Sequence, residues 1–213
     1  MKTDELIALL GADATPVPRQ ATTRRLALAL AVSLPISVAL LLLEFGPRRN
    51  LVEAMFWPMF WVKALFPIAI AAAGFVLVHR LARPGMRGGL AWPAVVAPVL
   101  LIWALAAFDW NMAAPADRSA MLWGETWRSC AFNILALAMP TFVAAMWVLR
   151  SLAPTRLALA GAAAGALAGG VGAAVYAVHC MELASPFLAV WYMAGIALPV
   201  ALGAVLGPRL LRW

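Results

Sequence analysis

The sequence predicts an all-α fold: a polytopic membrane protein built as a bundle of six transmembrane helices, with a short N-terminal helix on the cytoplasmic side. Three observations carry this. Of 213 residues, 65% are hydrophobic and 12% are charged, with a mean hydropathy of +0.92. Apolar runs long enough to cross a bilayer recur six times, and basic residues gather on alternate loops. A water-soluble domain of this size has no use for so much apolar surface. A membrane β-barrel would instead show segments of about 10 residues with alternating polarity.

Residues 1–24 are the only sizeable segment outside the membrane on the predicted cytoplasmic side. Thr3 can cap a helix whose first turn carries Asp4 and Glu5, both favourable at the positive end of the dipole. Leu6, Leu9 and Leu10 share one face with Ile7 at its edge, Gly11 can stop the helix, and Pro16 and Pro18 stiffen the linker. About two turns are unstable alone in water, because nucleation costs more than so few hydrogen bonds return. The pattern leaves two readings. The simpler is a tail that lies on the bilayer or stays disordered. The other is a recognition helix that orders when its leucine face enters a groove on a soluble partner.

Residues 25–213 form the membrane domain. A hydrocarbon core of roughly 30 Å needs about 20 apolar residues in a helix. Runs of that kind extend from Leu26 to Phe45, Phe60 to Val78, Leu90 to Phe108, Ala131 to Leu149, Leu157 to Val178 and Phe187 to Leu206. The first run follows a long tail and ends in Phe45-Gly46-Pro47 without a small-residue cleavage pattern, so it reads as a retained helix. Pro35, Pro67, Pro98, Pro140 and Pro199 fall inside spans, as prolines commonly do in membrane helices.

Basic residues set the orientation. Lys2, Arg19, Arg24, Arg25, Arg80, Arg83, Arg87, Arg150, Arg156, Arg209 and Arg212 fall on one side, against only Arg48, Arg49, Arg118 and Arg128 on the other. The positive-inside rule therefore places both termini in the cytoplasm of a bacterial inner membrane. Trp57, Trp61, Trp110, Trp123, Trp127, Trp191 and Tyr192 fall near the outer interface and read as anchors. Gly161, Gly165 and Gly169 in the fifth span, with Gly195, Gly203 and Gly207 in the sixth, are spaced for close packing inside one bundle.

Scattered over four membrane-flanking segments, the arginines account for the net charge of +7 through the lipid bilayer, and direct nucleic acid binding is not expected. Nothing marks an enzyme: GxSxG, HExxH, P-loop and GxGxxG patterns are missing. Lys63 lies near a helix end and reads as a lysine that snorkels back to the outer interface. Acidic residues fall at helix ends and loops, which weighs against an ion-coupled path. The rivals are a small membrane transporter or metal-export subunit, marked by substrate flux, and a membrane thiol-redox protein, marked by turnover with a quinone or dithiol.

The two cysteines are the main candidate chemistry. Cys130 begins the fourth span and Cys180 ends the fifth, so both fall on the outer side, where an oxidising periplasm allows disulfides. His179, Cys180 and Glu182, a set that Cys130 could complete in space, also form a candidate ligand set for a soft or borderline metal ion bound transiently. The spacing is not that of a familiar zinc site. Structural or inert thiols are the simplest reading of the residues, a switchable thiol pair the next, and metal ligation the third.

Several strings carry a family resemblance: Cys130-Ala131-Phe132-Asn133-Ile134, Leu149-Arg150-Ser151-Leu152-Ala153-Pro154, Tyr176-Ala177-Val178-His179-Cys180-Met181-Glu182, Trp191-Tyr192 and Leu211-Arg212-Trp213, with the opening Lys2-Thr3-Asp4-Glu5-Leu6-Ile7. The chain resembles the NrsF-type membrane anti-sigma factors of proteobacteria over its whole length, most specifically at Cys130 and His179-Cys180-x-Glu182. The resemblance implies six spans and an N-terminal segment, including Asp4, Glu5, Leu6, Ile7, Leu9 and Leu10, that holds an extracytoplasmic-function sigma factor. It also implies two outward-facing cysteines needed for release under metal or oxidative stress. The expected function is a cysteine sensor for a stress response in transcription regulation.

Overall fold

The structure, a computed structural model, describes residues 3–12, 20–86 and 88–212. Every regular element among them is helical. The expectations that fall on Lys2, Pro16, Pro18, Arg19, Arg87 and Trp213, and on the side chains of Leu6, Leu9 and Leu10, lie outside the described residues.

A short helix, α1 (Thr3–Ala12), precedes α2 (Ala21–Leu40), which runs on into a π-helical turn at Leu41–Phe45. Then come α3 (Leu51–Ala54), α4 (Pro58–Leu81), α5 (Ala91–Met112), α6 (Pro115–Trp123), α7 (Trp127–Arg150) and α8 (Leu157–Tyr176). The last span is composite: α9 (Ser185–Phe187), a second π turn at Leu188–Tyr192, and α10 (Met193–Leu210). Six of the resulting helices are long and apolar enough to cross a membrane. Their bounds extend most of the expected spans by several residues, because the interfacial turns keep helical hydrogen bonds beyond the apolar run. Proline starts α4 and α6, where its missing N–H leaves no helical bond unmade. Short connections join the long helices up and down, so their ends gather in two sets, one holding both cysteines and the other most of the arginines.

Helix α8 is the hub, packed against α4, α7 and α10, while α2 leans on α7 and α5 on α4. Its glycines and alanines let three backbones approach at once. A Cβ added at Gly161 or Gly165 would run into the backbone of Gly203 or Pro199 in α10, and one at Gly170 into Pro67 and Ala71 of α4. At Gly172 it would meet the Ile134 carbonyl of α7 at 2.7 Å. The small-residue row read from the sequence is thus an internal seam, with Gly170 and Gly172 added to it.

Two expectations are overturned. Lys63 does not snorkel: it is fully buried, because α4 turns its side chain into the bundle where backbone carbonyls wait for it. Tyr192 is not an interfacial anchor either, since the second π turn rotates it into the core, where it is also fully buried. The segment between the third and fourth spans, expected as a loop, contains α6. Trp123 at its end stacks with Trp127 and Trp191 at centroid distances of 4.9 and 5.5 Å. The Trp191 indole N–H donates to the Leu122 carbonyl at 3.0 Å, which ties α6 to the last span.

Candidate functional site

Five parts of the chain converge where the cysteines lie. Helix α7 brings Cys130 in its first turns, α4 brings Lys63, and the π turn before α10 brings Tyr192. The connection after α2 brings Arg48, and the segment between α8 and α9 brings His179, Cys180 and Glu182. Cys130 and Cys180 are free thiols, 0% and 1% exposed, and members of one apolar cluster with Phe66, Ile134, Tyr176 and Tyr192. Their side chains interact directly.

The turn carrying Cys180 is held from three directions. Its amide N–H donates to the Tyr176 carbonyl at 3.0 Å, which extends the end of α8. The Lys63 ammonium donates to the carbonyls of Cys180 at 2.5 Å and Glu182 at 2.8 Å. It also lies 5.3 Å from the centroid of the Tyr192 ring, a cation–π distance. Arg48 adds a longer bond to the Cys180 carbonyl at 3.5 Å, and its amide donates to the Val178 carbonyl at 3.1 Å. His179 turns Nδ1 to the Gly46 carbonyl at 2.9 Å, so the connections after α2 and α8 are pinned together.

Glu182 faces the other way, onto α7. Its Oε1 accepts the amide N–H groups of Glu125 and Thr126 at 2.7 and 3.2 Å. Helix α7 has no side-chain cap of its own, and its first N–H groups carry the positive end of the helix dipole. A carboxylate from a distant segment therefore caps the helix that holds Cys130. Gly124 makes room for it: φ is +52°, and a Cβ there would lie 2.7 Å from the Glu182 carboxylate.

The Cys180 thiol is held below the ordinary thiol range, first by hydrogen bonding with Cys130; burial opposes this, and the nearby Lys63 charge adds to it. Thiolate character is what makes a cysteine react.

Of the residues expected at the site, Cys130, Cys180, His179 and Glu182 do gather at one end of the bundle, but not as a ligand set. No three His, Cys, Asp or Glu side chains are grouped to hold a metal ion among the described residues. His179 is turned to Gly46 and Glu182 to the α7 N-terminus, while the thiols face each other in the core. Asp4, Glu5, Leu6, Ile7, Leu9 and Leu10 belong to α1, outside this cluster. There the backbone is helical from Thr3 to Ala12, one residue beyond the expected stop, and Ile7 is exposed.

Residues 10–213 match the family described as NrsF, negative regulator of sigma F. The chain belongs to the NrsF family. It is 43% identical over 213 residues to a probable anti-sigma-F factor NrsF of Azospira oryzae, with both chains covered completely. It is 41% identical over 218 residues to the anti-sigma-F factor NrsF of Caulobacter vibrioides, again with full coverage of both. No solved structure matches the chain. Against this NrsF background, the residues that sequence reasoning missed are Lys63, Arg48 and Tyr192. One signal was available: a lysine inside an apolar run, with no acidic residue at helical spacing, has to find its partners elsewhere in the fold.

Proposed function

We propose that this chain is a membrane anti-sigma factor that holds an extracytoplasmic-function sigma factor through residues 1–24 and releases it when the Cys130–Cys180 site changes state. The observation that carries the anti-sigma reading is full-length identity of 43% and 41% to two proteins named as anti-sigma-F factors. The six apolar helices support residence in the inner membrane. The excess of arginine at the end opposite the cysteines supports a cytoplasmic N-terminus and a thiol site facing the periplasm, where oxidation or a soft metal can reach it.

A stimulus at one face can release a partner at the other only if it favours one of two packings and the partner favours the other. A physical route exists. Glu182 joins the Cys180 turn to the start of α7. Farther along, Thr141 of α7 shares a buried hydroxyl–hydroxyl bond of 3.1 Å with Ser33 of α2, and Arg25 of α2 donates to Ser151 at 3.2 Å. Helix α2 leads back into the tail.

The test is co-purification of the bound sigma factor from native membranes, with and without a thiol oxidant or Cd2+. The unaltered chain retains the factor at rest and loses it on treatment. Leu6→Gln/Leu9→Gln/Leu10→Gln loses it at rest, whereas Cys130→Ser and Cys180→Ser keep it under both conditions. Retention by the leucine variant moves the binding site to the loops around Arg80 or Arg150. Normal release by both cysteine variants removes the thiol pair from the mechanism.

A further inference from the structure

Lys63 is a basic side chain sealed at the thiol site, fully buried among the elements that carry the two cysteines. An ammonium has three donors. Two are spent on the Cys180 and Glu182 carbonyls. Those acceptors are neutral, and a buried cation needs a compensating anion or its burial is costly. No carboxylate among the described residues pairs with it: Glu182, whose backbone carbonyl Lys63 holds, places its carboxylate oxygen on the α7 N-terminus. Arg48 adds further positive charge on the same carbonyl. What remains within its reach that can carry negative charge is the sulfur of Cys180, with Cys130 behind it.

We propose that Lys63 is the positioning residue of the thiol pair, holding the Cys180 turn against Cys130 and supplying the positive charge that makes Cys180 the attacking sulfur and Cys130 the resolving one. The proposal rests on the thiol-release reading above and adds to it an order of events and a residue that sets it. The depressed proton affinity of Cys180 agrees with that order. So does the geometry: both thiols lie in one apolar cluster, but it is the backbone of Cys180 that Lys63 hydrogen-bonds.

With an azo-type oxidant such as diamide, the step balances as follows. The Cys180 thiolate adds to the N=N bond, so an S–N bond forms. Cys130 then attacks the Cys180 sulfur: the S–S bond forms, the S–N bond breaks, and the hydrazine leaves with two electrons and two protons, one proton from each thiol. Lys63 gives up nothing; its charge stabilises the thiolate that begins the sequence.

The experiment follows disulfide closure by diamide in the full chain in native membranes, quenched by alkylation and read by gel mobility. Lys63→Gln keeps donors for the two carbonyls but no charge, and Lys63→Arg keeps the charge. The expected result is closure about tenfold slower in Lys63→Gln, equivalent to roughly 1.4 kcal/mol, and within about threefold of the natural rate in Lys63→Arg. Closure of Lys63→Gln at the natural rate overturns the role of Lys63 while leaving the thiol switch in place. Failure of the unaltered chain to close under any diamide concentration overturns the thiol switch itself.

A second measurement keeps Lys63 in place. In Cys130→Ser and Cys180→Ser, the remaining thiol is treated with methyl methanethiosulfonate, a probe small enough to enter as the bundle breathes. Cys180 is expected to react about tenfold faster than Cys130. Equal rates, or the reverse order, overturn the assignment even if every neutral Lys63 variant fails to insert.

Discussion

Helices α8 and α2 are each 20 residues long and each belongs to an apolar span, yet they sit in the bundle in opposite ways. Within their most apolar windows, 72% of the α8 span is buried but only 22% of the span beginning with α2. The buried positions of α8 are almost all glycine, alanine, leucine and valine. Those of α2 are Thr22, Leu26, Ser33 and Ser37, three of the four hydroxylated. In a bilayer, lipid tails solvate leucine as well as a neighbouring helix does, so association depends on close backbone approach and interhelical hydrogen bonds. Helix α8 uses the first means against three neighbours. Helix α2 relies on the second, chiefly against α7. The helix that leads into the tail is thus attached by a few polar contacts, and the helix that ends beside Cys180 is fixed by backbone contact.

The contrast breaks most readily at the hub. Gly165→Leu forces a side chain into the α10 backbone and is expected to destabilise the bundle by about 3 kcal/mol, read as a lowered unfolding midpoint in detergent; an unchanged midpoint would show that α8 and α10 can part freely. A smaller loss is expected from Glu182→Ala. Removing the cap that α7 borrows from another segment should cost about 1 kcal/mol, with Glu182→Gln losing less because its amide oxygen still accepts; equal loss from both would assign the effect to charge instead. The smallest effect belongs to α2. A double-mutant cycle of Ser33→Ala and Thr141→Val should give a coupling of about 0.6 kcal/mol, while sigma-factor retention in membranes changes more than stability does. A coupling near zero would leave α2 without the link to α7 described above.

Much of this architecture could be read in the residues. Six apolar runs, the arginine bias and the glycine rows follow from bilayer thickness and backbone approach, which act on local sequence. Cys130 and Cys180 could be brought together because both fall at helix ends on one side. The roles of Glu182 and His179 could not. Their ligand chemistry made them candidate metal ligands, the third of the readings weighed, whereas the fold has them bond the start of α7 and the Gly46 carbonyl. Lys63 and Tyr192 were misread for a related reason. A window of hydropathy shows how far a residue lies from a helix end, but which way its side chain points depends on rotation about the helix axis. For Tyr192 that rotation is set by a π turn, for which the sequence gives no simple signal.

The glycine seam also bears on how the protein is made. The face of α8 formed by Gly161, Gly165 and Gly169 is shaped to receive α10, which follows it in the chain. Until residues 193–210 emerge, the central helix has a groove with no backbone to fill it. A chain cut short before α10 therefore keeps the hub but leaves its glycines uncovered.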